Sequence, residues 1–346
     1  MLHHRKYPQK VIKSFAYAAV AKAEGADLIY FSPHAVDFNK KVINGYVYEN
    51  GAWQKAERPF PDVIYNTGSP DKLAKSIDII KKLKEDIPFT TNSIGNKLNV
   101  YERLKISGEF SNYLIPSEII YSTKHFFSLF DLYNKVILKP VIGHQGRDIL
   151  FISGCGDQYK VLVDTIEYFF NYNDMRKYIS GIINKESYLL QPYISSKTKA
   201  GLAYDFRLHV QKNEENKWII AAIYPRIAPN GSVISNISKG GSTYYLEPFL
   251  KQEFGDNWLN IKKYLEKFAL QLANNLEQIQ YDYFKENIDE LGIDIGLDDT
   301  RKIWIYEVNW RPGCPPSFYL ELDVVKNMVR YAMYLANLKV KNPENV

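Results

Sequence analysis

The chain has 346 residues, with 44 basic and 39 acidic side chains and a formal charge of +5, too small and too dispersed to form a nucleic-acid footprint. Its apolar content suffices for a core spread over two or three subdomains, and Cys155 and Cys314, each beside glycine or proline and without CxxC spacing, read as unpaired thiols in a reducing compartment, not as a zinc site. No stretch approaches the roughly 20 apolar residues of a membrane span, and the basic amino terminus runs into an amphipathic segment instead of a signal core, so a cytoplasmic protein that engages neither nucleic acid nor membrane is expected.

Ser14 to Glu24 has the spacing of an alanine-rich amphipathic helix closed by Gly25, and Asp27-Leu-Ile-Tyr-Phe31 reads as the strand after it. From Lys41 to Trp53, alternating apolar residues flank Asn50-Gly51, the strongest short hairpin signal. Asp62 to Asn66 is a second short strand, and Asp71 to Lys84 returns to helical spacing before Pro88. The region up to about residue 95 thus predicts a small open sheet with helices. Lys97 to Ile106 is helical in pattern, Glu118 to Tyr121 is extended, and a further helix-like segment leads into the strand Lys135 to Lys139. With the strand Ile149 to Ile152 this predicts an antiparallel pair whose glycine loop folds its amides over phosphates. Leu189 to Ile194 is an apolar strand broken by Pro192, which cannot donate to a ladder. Phe206 to Gln211 and Trp218 to Tyr224 pair across a polar turn, and a long helix runs from Trp258 to about Ile279. Gly292 to Leu297 and Lys302 to Asn309 form a last strand pair before the closing helix Val324 to Leu338. The 27 tyrosines fall inside apolar-periodic segments as often as outside them, which suits core and interface packing and permits a homodimer.

Several groups of residues carry chemistry. Lys139 ends an otherwise apolar strand, where its charge suits phosphate oxygens; an ordinary strand-end lysine is the alternative. Gly143, His144, Gln145, Gly146 and Arg147 follow, two glycines three apart and a cation, a spacing found in many turns and distinct from the better-known phosphate-binding and dinucleotide-binding glycine patterns. Glu307 and Asn309, two apart on a strand, share a face, and hairpin pairing can set Asp294 beside Glu307. Three such oxygen ligands suit Mg²⁺ or Mn²⁺; a solvated strand face is the competing reading. Arg226 and Asn236 stand in a polar, glycine-containing stretch between regular elements, where an arginine can fork a phosphoryl group or carboxylate; alone, this stretch reads as a surface loop. Together these residues point to an ATP-using enzyme.

In this order they resemble the ATP-grasp superfamily, and within it the YheC/YheD-like, endospore coat-associated branch. The likeness covers nearly the whole chain. Glu24-Gly-Ala-Asp-Leu-Ile-Tyr-Phe-Ser-Pro33, Gly45-Tyr-Val-Tyr48, Trp53 and Pro61-Asp-Val-Ile-Tyr-Asn66 look like that branch. Tyr204-Asp-Phe-Arg207, Trp218, Arg226, Ser235-Asn236, Gly240-Gly241 and Tyr306-Glu-Val-Asn-Trp-Arg-Pro-Gly313 follow the order shared with the ribosomal-protein glutamate ligases. The resemblance implies an α+β protein whose amino-terminal domain is a small α/β open sheet. That domain, on the substrate side, spans 1–95, a small subdomain with the glycine loop spans 96–188, and a large subdomain with the metal site spans 189–346, the two subdomains clasping ATP. Residue by residue, it implies that Lys97 and Lys139 contact phosphates, that the loop from Gly143 to Arg147 closes over them, and that Gln191, Tyr193 and Ile194 contact adenine. Asp294, Glu307 and Asn309 would bind Mg²⁺, and Arg226, with Asn236 nearby, would face the γ-phosphate and an acyl phosphate. Asp205 and Arg207 match a family motif beside the nucleotide. His144 and Arg147 stand where small residues or lysine are more usual, and Pro192 where a charged residue is common, which bears on how the loop closes.

The activity implied is an ATP-dependent carboxylate–amine ligase that forms an amide or peptide bond through an acyl phosphate and releases ADP and phosphate. The amine substrate would be an amino acid, a peptide or a growing chain. Two rivals stand beside it: a spore-associated structural or binding protein that keeps the fold without turnover, and a kinase that stops at phosphoryl transfer.

Overall fold

The computed structural model describes residues 1–68, 73, 76–95, 97–141, 148–233, 235, 240–312 and 318–341. The amino-terminal part holds α1 (Ile12–Ala23), β1 (Val36–Asp37), β2 (Val42–Glu49), β3 (Ala52–Pro59), β4 (Ile64–Tyr65), α2 (Ser76–Asp86) and β5 (Phe89–Thr90). Gly25, at φ +76°, follows the end of α1. The hairpin expected at Asn50-Gly51 forms between β2 and β3, with both turn residues at positive φ (51° and 77°), as a two-residue hairpin turn requires. The strand expected at 27–31 is reduced to isolated bridges, Leu2 to Phe31 and Tyr30 to Tyr46.

Next come α3 (Lys97–Ser107), β6 (Glu118–Ile120), α4 (Thr123–Tyr133), β7 (Lys135–Pro140), β8 (Leu150–Cys155), β9 (Gln158–Val163), β10 (Ile166–Phe170), α5 (Tyr172–Ile183) and β11 (Tyr188–Pro192). Their strands form an antiparallel six-stranded sheet in the order β10-β9-β8-β7-β11-β6. Val136, Leu138 and Leu190 bury one face of it against Phe126, Phe130, Met175 and Ile179 of α4 and α5. The chain ends with β12 (Tyr204–Lys212), β13 (Trp218–Ile227), β14 (Ser242–Thr243), α6 (Leu246–Phe254), α7 (Trp258–Phe284), β15 (Glu290–Leu297), β16 (Ile303–Asn309) and α8 (Phe318–Lys341). A five-stranded antiparallel sheet, ordered β14-β13-β12-β15-β16, packs its apolar face on α6 and α7.

The cores cut across the expected limits at 95/96 and 188/189. Ile94, Val100, Leu104, Phe110 and Leu114 share the core of the five-stranded sheet, so α3 packs with the large body and not with the six-stranded one. Strand β11, in contrast, is hydrogen-bonded between β6 and β7 of the small sheet. Val325, Met328 and Val329 of α8 return to the amino-terminal part, against Tyr17 and Ala21 of α1. No helix among the described residues is long and apolar enough to cross a membrane.

Asp289, buried just before β15, ties the amino-terminal part to the large sheet. Thr91, at φ +62°, donates its backbone N–H to Asp289 Oδ1 at 2.7 Å. Burial, reinforced by Glu290, pushes the Asp289 carboxyl up to about 7, against the opposing Thr91 hydrogen bonds and the charge of Lys212. Because the folded value lies above the unfolded one, this group's contribution to stability is full below the ordinary value of 3.8 and is lost as the pH rises through about 7. Urea melts at about pH 5 and about pH 8 should therefore show the parent chain losing stability relative to Asp289→Asn; a pH-independent difference would contradict this.

Candidate active site

The central strand β12 explains how a polar site is built inside the protein. Its sequence alternates, with Phe206, Leu208 and Val210 facing the α7 core and Asp205, Arg207, His209 and Gln211 on the opposite face. Asp205, His209 and Gln211 are buried and Arg207 nearly so, and buried polar groups need partners. The neighbouring strands supply them. Arg226 grips Asp205 through Nε and Nη2 at 2.7 and 2.6 Å, and Arg207 grips Asp294 in a second fork. The Arg226 Nη2 also lies 3.1 Å from Asp294 Oδ2, joining the two forks into one chain. Further along, Glu290 pairs with His209 at 2.9 Å and accepts from Gln211 at 3.0 Å.

Electrostatics follow from this packing. Burial alone would raise the Asp294 carboxyl, but Arg207 and Arg226 outweigh it and hold it below the usual carboxylate range. Burial opposes the charge of Arg226 as well, yet Asp294 and Asp205 together drive its guanidinium well above the ordinary value. Arg226 is thus a locked cation. It also departs from the expectation of a loop: β13 continues to Ile227, and the register sets Arg226 opposite Asp205.

Strand β16 carries the other half. Ile303, Ile305 and Val308 all belong to the core, and strict alternation cannot bury 303, 305 and 308 together. The register solves this by a bulge: Ile295 faces Ile305 while Asp294 faces Glu307, leaving Tyr306 as the extra residue. The bulge turns Glu307 and Asn309 out of the core onto the polar face and makes Asp294 and Glu307 cross-strand partners. Two carboxylates and an amide so arranged are hard oxygen donors of the kind Mg²⁺ or Mn²⁺ takes. Both oxygens of Asp294 are already engaged by Arg207 and Arg226, and among the described residues no three His, Cys, Asp or Glu side chains gather as a metal cluster, so any such ion would rest on Glu307 and Asn309 with Asp294 shared with the arginines.

Across from β16, the face of the small sheet turned away from α4 and α5 presents Lys139 of β7 and the buried Leu189 and Gln191 of β11, with Lys139 opposite Leu189 in register. Lys139, Gln191, Tyr306 and Glu307 line one narrow cleft of about 40 Å³ between the two sheets, with Leu98 and Tyr101 of α3 at its side. The Gln191 amide donates to Ser117 Oγ at 2.6 Å. Tyr193 leaves β11 with its N–H on Lys135 O at 2.9 Å and its ring 4.8 Å from Phe151; Ile194 follows, half-buried. Lys97 opens α3, next to cleft-lining Leu98, and its side chain lies outside the described part, as do residues Gly143, His144, Gln145, Gly146, Arg147 and Asn236. Residue type alone does not mark Tyr306 as a cleft residue. Its hydroxyl lies 3.3 Å from Ser196 Oγ, and a Cβ at Gly296 would come within 2.0 Å of it, so glycine there makes the room. Spacing alone gives no sign of the bulge that puts it there.

Known proteins share this fold. The sequence pattern of the YheC/D-like ATP-grasp family matches residues 86–335. The endospore coat-associated protein YheD of Bacillus subtilis (strain 168) is 26% identical over 336 residues, covering 92% of this chain and 73% of that protein. Among solved structures, D-alanyl-alanine synthetase A from Vibrio cholerae O1 biovar eltor superposes with a TM-score of 0.55 at 13% identity, covering 100% of this chain and 98% of that one. The D-cycloserine synthetase DcsG does so with a TM-score of 0.54 at 10% identity, covering 97% and 98%. With a cleft between two antiparallel α+β bodies and a family match over most of its length, this chain has the ATP-grasp fold and belongs to the YheC/D-like ATP-grasp family.

Proposed function

We propose that the protein is an ATP-dependent carboxylate–amine ligase, and the convergence of Lys139, Gln191 and Glu307 on one cleft, with Asp294 across from Glu307, carries this reading. ATP lies between the sheets. The β11 exit, Gln191, Tyr193 and Ile194, faces adenine, and Lys139, Lys97 and the loop from Gly143 to Arg147 face the phosphates. Asp294, Glu307 and Asn309 would hold a Mg²⁺ or Mn²⁺ ion, which when bound would supply charge neutralisation for phosphoryl transfer. A substrate carboxylate oxygen attacks the γ-phosphorus in line, the bond to the ADP oxygen breaks, and an acyl phosphate forms. Arg226, fixed by Asp205, holds the transferred phosphoryl group, with Asn236 beside it. The amine nitrogen then attacks the acyl carbon, phosphate leaves and the amide forms. No protein nucleophile takes part, so rate enhancement comes from position and fixed charge. The names of the two solved relatives, both synthetases, favour this reading over a kinase, and that of YheD suggests association with the endospore coat.

Trapping the acyl phosphate with hydroxylamine tests the chemistry. A simpler check addresses the nucleotide: Lys139→Ala should weaken ADP binding by about tenfold to a hundredfold, as loss of one charge-assisted phosphate contact does, with the melting temperature unchanged. Equal affinities in calorimetric titration with Mg²⁺ would remove Lys139 from the site.

A further inference from the structure

Away from the ATP cleft, the amino-terminal part holds a groove of about 690 Å³, within the range of ligand sites. One face of the β2–β3 hairpin floors it. Register sets Asn44 opposite Glu57 and Tyr46 opposite Lys55, and all four line the groove. His4 and Lys6 form one wall, and His34, on the short turn Pro33–Ala35, stands on another. Among its described lining side chains, four are cationic or become so on protonation, and Glu57 is the one acid. The field in the groove therefore favours anions.

The wall is built, not merely exposed. His4 stacks on buried His3 with ring centroids 4.2 Å apart, and a Cβ on Gly68 would fall 2.7 Å from His4 Nδ1 and 2.8 Å from the His3 ring. Burial first, then the charges of His4, Arg5 and Arg311, hold the His3 imidazole down at about 4.

We propose that this groove binds an acidic peptide, its carboxylates held by Lys6 and Lys55 and its length laid over Asn44 and Tyr46. Two separate lysines on different elements and a volume well beyond a single diacid favour a peptide over a small polycarboxylate. That the peptide is a substrate rests on the ligase reading; that it binds does not.

Calorimetric titration of the full chain with tri-glutamate, tri-glutamine and citrate tests this, repeated on the Lys6→Glu/Lys55→Glu double variant with its ADP affinity as the folding control. Tri-glutamate should bind the parent chain and tri-glutamine should not, and the double variant should lose affinity by about tenfold or more with ADP binding unchanged. No binding of tri-glutamate, equal binding of the two peptides, citrate binding as tightly as tri-glutamate, or an unaffected double variant would each overturn the proposal. Peptide binding in a chain that never consumes ATP would keep the groove and remove the ligase reading; ATP consumption without peptide binding would do the reverse.

Discussion

Glu307→Gln abolishes ADP release, by on the order of a thousandfold or more, while the far-ultraviolet spectrum and melting temperature stay close to those of the parent chain. The size follows from the position. Glu307 faces Asp294 across β15–β16 and lines the cleft with Lys139, and if, as proposed, its carboxylate holds a divalent ion, its loss would remove several kcal/mol of transition-state stabilisation. The amide keeps the volume and the strand position, so the fold has little to lose. Glu307→Ala should behave alike. Turnover retained in either variant, read by a coupled ADP assay, would remove Glu307 from the metal set.

Arg226→Met combines a large loss of stability with loss of activity. Arg226 is the fork partner of Asp205 and also touches Asp294, and all three residues are buried. Removing one partner of such a pair strands charge in a low-dielectric interior, at a cost of about 3–5 kcal/mol. Asp294 keeps Arg207, so the stranded group is Asp205. Arg226→Met/Asp205→Asn should therefore regain part of the lost stability in urea melts, because the neutral amide no longer carries an uncompensated charge. It should regain no turnover, because the guanidinium proposed to hold the acyl phosphate is still missing. Recovery of ADP release in the double variant would mean that Arg226 serves the fold alone.

Local pattern made the hairpin at Asn50-Gly51, α7 and the β15–β16 pair legible, since each depends on neighbours in sequence. The shared face of Glu307 and Asn309 followed from their two-residue spacing, but counting from Ile303 and Ile305 would have turned Glu307 into the core; only the bulge at Tyr306 reconciles the two. Arg226 reads as a loop residue because it stands in a polar, glycine-containing stretch beyond the alternation that ends at Tyr224. What holds it in β13 is its pairing with Asp205, 21 positions away. Strand β10 lacks a readable alternation, because Ile166, Tyr168 and Phe169 are all exposed. The packing of α3 on the large body depends on contacts such as Arg103 with Gln280 at 2.8 Å, between residues 177 apart, which no local pattern encodes. Lys97, the adenine-facing residues and the Asp205–Arg207 motif came from family resemblance, not from residue chemistry read in isolation.

The most direct test of the account is ATP consumption with Mg²⁺ and hydroxylamine, supplied with pooled amino acids, acidic peptides and small carboxylates, with products read by mass spectrometry. The account predicts a hydroxamate formed in step with ADP, its mass naming the activated carboxylate. ADP formation with a stable phosphorylated product and no hydroxamate would contradict it in favour of a kinase, and ATP binding with no ADP from any pool would contradict it in favour of a protein that keeps the fold without the turnover.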